Sequence, residues 1–172
     1  MTAAAPTRHL VLVGLMGAGK TSVGAECAAR LGRPFIDTDR AVEAETHRTV
    51  REIFEADGEA AFRLLERAAV RRAALDPTPT VIACGGGAAV DPDNRAVLRE
   101  HGHVVWLDAP VAALAERATR TPGARPLLAV GDPIATLEDL AAARHDAYTD
   151  IAHVRVDTAG RTVTEVADLV LE

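Results

Sequence analysis

The feature that most constrains this chain is the run Gly14-Leu15-Met16-Gly17-Ala18-Gly19-Lys20-Thr21, which fits G-x-x-x-x-G-K-[ST]. It follows a short apolar stretch, His9-Leu10-Val11-Leu12-Val13, that reads as a buried strand. A helix is predicted to follow over residues 20–31, with Val23, Cys27 and Leu31 along one face and Gly32 as its C-cap. This strand–loop–helix setting decides against a chance glycine-rich turn. The glycines let backbone N–H groups turn inward around phosphate oxygens, and the helix directs its positive end at them. Lys20 supplies a flexible cation for the β- and γ-phosphates, and Thr21 a hydroxyl for Mg²⁺. The candidate ATP or GTP contacts in this run are Gly17, Ala18, Gly19, Lys20, Thr21 and Ser22.

Strand and helix signals alternate through the rest of the chain, which argues for a parallel α/β fold. Pro34-Phe35-Ile36 is predicted as a second strand ending at Asp37-Thr38-Asp39. Residues 40–75 read as helix in pieces, with a capping box at Thr49–Glu52 and a break at Asp57-Gly58. Strands are predicted at 80–84, 103–107 and 154–156, and helices after Asp91-Pro92, Pro110 and the second capping box at Thr162–Glu165. Residues 121–133 hold Pro122, Gly123, Pro126, Gly131 and Pro133, the densest cluster of breakers, and read as a surface loop or lid.

At 172 residues the chain suits one domain able to bury a core. Its net charge of −6 argues against general nucleic-acid or anionic-membrane binding. With only Cys27 and Cys84 for thiols, and no basic-then-apolar leader or bilayer-length apolar run, a cytoplasmic, reduced protein is expected. The basic residues are lopsided, 18 Arg to one Lys, so an isolated arginine carries little weight and Lys20 stands out.

A phosphate loop needs a carboxylate near its cation, and two places qualify. Asp37 and Asp39 are expected to point to the same side of an extended segment. One would then serve the metal and the other a substrate hydroxyl, with a pair of turn-forming aspartates as the plainer alternative. Asp108 follows the apolar run Val104-Val105-Trp106-Leu107, but the nearby Pro110 favours reading it as a helix N-cap.

Together with the phosphate loop, five further features follow in order. They are Phe35-Ile36-Asp37-Thr38-Asp39, the stretch from Gly58-Glu59-Ala60-Ala61-Phe62-Arg63 to Glu66, the triple glycine 85–87, Arg125-Pro126-Leu127-Leu128, and Arg144 four residues before Tyr148. In these the chain resembles the shikimate kinase family almost end to end. The resemblance implies a P-loop kinase fold, a five-stranded parallel sheet of order 2-3-1-4-5 with helices on both faces. It also implies MgATP and shikimate as small-molecule substrates, a single domain with a lid at about 119–131, and a monomer. Lys20, Asp39 and Arg125 would be catalytic: Asp39 holds the acceptor hydroxyl and takes its proton, and Arg125 closes over the transferred phosphate. Thr21 and Asp37 would serve Mg²⁺. Asp39, Arg63, Gly85, Gly86, Gly87 and Arg144 would bind shikimate, the two arginines clamping its carboxylate with their planar forks. Arg117, Arg120 and Arg161 are candidates near the adenine, with Arg120 and Arg161 joining Arg125 as ATP contacts.

Cys84 departs from the small residue expected before the triple glycine and reads as a packed apolar group. The segment from Arg117 to Arg125 is short for an adenine contact. Three other readings compete on sequence: a gluconate kinase on the same fold, a nucleotide-binding regulator that uses Asp108 as its metal carboxylate, and a kinase-like relic that binds without turnover, against which no essential residue is missing.

Overall fold

The alternating signals are realised as one sheet of five parallel strands in the order β2-β3-β1-β4-β5. The computed structural model describes residues 8–120, 126–128 and 130–172. The strands are β1 (His9–Val13), β2 (Phe35–Asp37), β3 (Val81–Ala83), β4 (Gly102–Asp108) and β5 (Val154–Asp157). β1 lies at the centre, with Leu12 opposite Ala83 on one side and Val105 on the other. All of β1 is buried, so its sequence is continuously apolar rather than alternating.

The helices are α1 (Lys20–Leu31), α2 (Thr38–Thr46), α3 (Val50–Asp57), α4 (Glu59–Ala74), α5 (Pro92–His101), α6 (Val111–Thr119), α7 (Pro133–Ile151) and α8 (Val163–Leu171). α1 packs on α8, while α4, α5 and α7 adjoin in a row. Right-handed crossovers between parallel strands place these two groups on opposite faces of the sheet. The main core is aliphatic and alanine-rich, with Trp106 and Tyr148 as its bulky members. A second, smaller core of Val42, Ile53, Phe62 and Ala69 ties α2, α3 and α4 together, with Phe54 against Phe62 at 5.0 Å between ring centroids. Both predicted capping boxes form, at Thr49–Glu52 and Thr162–Glu165, and Asp91 caps α5 with Pro92 in its first turn.

Two local expectations are corrected. The helix predicted to begin at residue 40 begins at Thr38, because Asp37 Oδ1 accepts the N–H groups of Asp39 (3.1 Å) and Arg40 (3.2 Å). Asp39 is therefore a first-turn helical residue, and strand alternation does not relate the two carboxylates. Asp108 is not an N-cap. It still belongs to β4, opposite Asp157, and its carbonyl accepts the N–H of Thr158 at 2.8 Å. Its carboxylate pairs with Arg155, whose guanidinium lies over Trp106, and α6 starts from Pro110 without a side-chain cap.

Candidate active site

The phosphate loop joins β1 to α1 at the centre of the sheet. Gly14 and Gly17 have φ of 145° and 83°, and a Cβ on either would strike a carbonyl, that of Leu107 or Leu114. These positions need glycine for both conformation and close approach. α1 begins at Gly19 with no side-chain cap and no acidic residue in its first turn. Its leading N–H groups and the positive end of its dipole are thus left for an external anion. Lys20 Nζ donates to Gly14 O (2.8 Å) and Leu15 O (2.9 Å), which holds the ammonium over the loop. Thr21 Oγ1 donates to Asp37 Oδ2 at 2.6 Å. That bond orients the threonine oxygen with its lone pairs available to a cation. A hydroxyl backed by a carboxylate is a hard oxygen donor set, suited to Mg²⁺ that takes its other ligands from phosphates and water. Among the described residues no cluster of three or more His, Cys, Asp or Glu could hold a metal unaided.

The acceptor side is assembled from four segments around the glycine strip that leaves β3. A Cβ on Gly85 would lie 2.5 Å from Asp39 Oδ1 and 2.6 Å from Glu66 Oε1. On Gly86 it would lie 3.2 Å from Arg144 Nη1, and on Gly87 2.5 Å from Arg63 Nη1. Each glycine therefore faces a different charged side chain, and none of the three has positive φ. They are required for space rather than for a turn, because charged groups pack directly onto bare backbone.

Those groups are unusually enclosed. Arg144 is 5% exposed and Glu66 2%. Arg63 Nη1 donates to Glu66 Oε2 at 2.7 Å, and its Nη2 donates to Glu59 Oε1 at 3.0 Å. Among the described residues, Glu66 Oε1 and Arg144 Nη1 are buried and find no hydrogen-bond partner. Burial pushes the Glu66 carboxyl up, against the opposing pull of the Arg63 and Arg144 guanidiniums. Such polar atoms cost free energy when left unmatched, so their concentration here marks a place for a polar ligand. Two guanidiniums can clamp a carboxylate, while Asp39 stands ready for a hydroxyl.

One cleft of about 680 Å³ holds both halves. Its lining includes all the site residues expected from sequence within the described part of the chain. Arg125 lies outside the described residues, as do positions 121–124 and 129 of the expected lid. Arg117 Nη1 and Nη2 donate to the side chain and carbonyl of Thr158, both at 3.0 Å, Arg161 Nε donates to Asp157 O at 3.1 Å, and Arg120 pairs with Glu116 on the surface. All three of these arginines line the cleft. Cys84 is buried beside the strip, with its thiol pushed up by burial, and it packs as expected.

Sequence reasoning missed Glu66 and Thr38. Glu66 lies three residues after Arg63 on a helix face that is otherwise apolar where it meets the core, and that spacing could have exposed the pair. Thr38 is fully buried, and its Oγ1 accepts the N–H of Gly85 at 3.0 Å. Nothing local to Thr38 signals that contact across 47 positions.

Known proteins resemble this arrangement closely. Residues 16–172 match the family model SKI: Shikimate kinase. A shikimate kinase from Symbiobacterium thermophilum is 51% identical over 166 residues, covering 95% of this chain and 94% of that protein. One from Caulobacter vibrioides is 48% identical over 151 residues, covering 88% and 74% respectively. The solved structure of a shikimate kinase from Acinetobacter baumannii in complex with shikimate superposes with a TM-score of 0.93 at 37% identity, covering 96% of this chain and 92% of that one.

Proposed function

The chain belongs to the shikimate kinase family and is an ATP-dependent kinase of shikimate, and on that premise we propose how its cleft divides the work. The reaction moves the γ-phosphate of ATP to the 3-hydroxyl of shikimate, giving ADP and shikimate 3-phosphate on the route to aromatic amino acids. No covalent enzyme intermediate is needed, because phosphoryl transfer is driven by positioning and charge.

The nucleotide phosphates sit on residues 14–22, held by the open N–H groups of α1 and by Lys20. Thr21 would hold Mg²⁺, with Asp37 acting behind it through the 2.6 Å hydrogen bond. When bound, Mg²⁺ neutralises the phosphate charge that develops during transfer. Arg63 and Arg144 clamp the shikimate carboxylate, and the glycine strip lets the ring approach the backbone. Asp39 accepts the proton of the attacking hydroxyl. Arg120 and Arg161 border the nucleotide, and Arg125, in a lid at about 119–131, closes on the transferred phosphate and helps exclude water. We propose that the chain works as a single-domain monomer in the cytoplasm, with no nucleic-acid or membrane partner. Among the described residues no helix is long and apolar enough to cross a membrane.

The observation that carries this division is the set of enclosed charges, Asp39, Glu66, Arg144 and Arg63, ranged along Gly85–Gly87 in the same cleft as Lys20. A coupled ADP-release assay with shikimate, quinate, gluconate or no acceptor tests it. ADP release should rise strongly with shikimate alone. Faster release with gluconate, or dominant acceptor-free hydrolysis, would overturn the assignment.

A further inference from the structure

Among the described residues, the buried hydroxyls of Thr38 and Tyr148 have no part in the chemistry described above, and both end on the glycine strip. Thr38 lies between the cation-side carboxylate Asp37 and the base Asp39, and its side-chain oxygen accepts the N–H of Gly85 at 3.0 Å. Tyr148 lies one helical turn beyond Arg144 on α7, is 1% exposed, and donates its hydroxyl to the carbonyl of Gly86 at 2.5 Å. Burial lifts the Tyr148 phenol to about 12, so it remains a protonated donor across the working pH range.

The strip cannot fix itself. It has no side chains, and glycine loses more backbone freedom on ordering than any other residue. It is also narrowly confined, since a Cβ on Gly86 would meet Arg144 Nη1 on one side and Met16 N, at 3.5 Å, on the other. A small slide of Gly86 therefore changes the spacing between the acceptor clamp and the phosphate loop. Tyr148 is anchored to the sheet rather than to a loop. Its ring packs 5.4 Å from that of Trp106, and Trp106 pairs with Val13 of β1, the residue before the phosphate loop.

We propose that Thr38 and Tyr148 are positioning residues: their hydroxyls pin two consecutive residues of the strip, at Gly85 N–H and Gly86 C=O, and so set the acceptor site in register with the phosphate loop. This rests on the shikimate reading above. It adds that the register is imposed by two side chains that need not touch either substrate.

The test compares the parent enzyme with Tyr148→Phe, Thr38→Val and Thr38→Ser. The first two keep shape and lose the hydrogen bond, and the third keeps the oxygen. Tyr148→Phe and Thr38→Val should each lower kcat/KM for shikimate about 3- to 12-fold, the size of one neutral hydrogen bond. KM for MgATP should stay within about twofold of the parent, and Thr38→Ser should recover most of the loss. Hydrogen exchange at the Gly85 and Gly86 amides should quicken in the two pin-less variants and not in Thr38→Ser. The proposal is overturned if shikimate kcat/KM hardly changes, if shikimate and MgATP parameters fall together, or if serine is no better than valine. A parent that phosphorylates no shikimate would refute the family reading instead. Exchange then still decides the pins, since unchanged rates at Gly85 and Gly86 would overturn them.

Discussion

Where we propose the nucleotide phosphates to sit, the polar groups come from consecutive residues, 14–22, and are largely backbone N–H. Where we propose the acceptor to bind, they come from α2, α4, the strip after β3 and α7, and are charged side chains of which Glu66 and Arg144 are held out of water. The first half is a fixed electrostatic cradle whose unmatched groups are the ordinary open end of a helix. The second keeps Glu66 Oε1 and Arg144 Nη1 buried with no partner among the described residues, a state tolerable only because the cores around it hold the segments together. A cradle can be written locally and accepts any nucleoside triphosphate phosphates. Selecting one small acid needs charges fixed in three dimensions, and the packing of distant helices supplies that. Substitutions in the two halves should therefore fail in different ways.

The largest effect is expected where the halves meet. Asp39→Asn keeps the shape of the base and removes its proton affinity, so kcat should fall by roughly 10²–10⁴. Shikimate and MgATP should still bind. Asp108→Asn is the control, because Asp108 is tied to Arg155 outside the cleft and should leave Mg²⁺-dependent turnover intact. Loss of turnover in Asp108→Asn but not in Asp37→Asn would place the cation-side carboxylate wrongly.

Next in size are the clamp residues. Arg63→Ala and Arg144→Ala should each weaken shikimate binding by about 1.5–3 kcal/mol, or roughly 10- to 150-fold in KM, with MgATP binding little changed. Titration calorimetry with each ligand separates the two. An equal loss of both ligands would erase the contrast between the halves.

The smallest effect is on stability. The Glu66 carboxyl lies above its ordinary value of 4.5 because burial outweighs its arginine partners. A carboxyl raised in the folded state leaves stability intact below its unfolded value and lowers it as pH climbs through the folded one. Glu66→Gln should therefore gain on the parent in unfolding midpoint as pH rises from about 4 to 7, while binding shikimate less well. A parent that gains on the variant over that range would mean that its ion pair with Arg63 outweighs burial.

The same contrast explains what could be read from sequence. The phosphate loop, the five strands and the two capping boxes are local patterns, and each appears within a residue or two of where its residues place it. Asp37, Asp39, Arg63, Arg144 and the triple glycine were legible through an ordered set of motifs, since any arginine among 18 is uninformative alone. The geometry behind them was not. The cap formed by Asp37 turns Asp39 into a helix, and Thr38 and Glu66 acquire meaning only when β3 brings the glycines against them. Asp108 misled because Pro110 carries a helix-start signal, while the strand ladder with β5 holds Asp108 two residues short of that start.

The chain's single lysine gives the most direct measurement of the division of labour. An amine-directed reagent can meet only Lys20 and the N-terminus, and mass spectrometry of the peptides distinguishes them. Modification of Lys20 should fall when MgATP is present, stay unchanged with shikimate alone, and abolish phosphate transfer in step with its extent, as expected of an ammonium proposed to serve the β- and γ-phosphates. If MgATP gives no protection, or if fully modified enzyme still makes shikimate 3-phosphate, the nucleotide does not rest on residues 14–22.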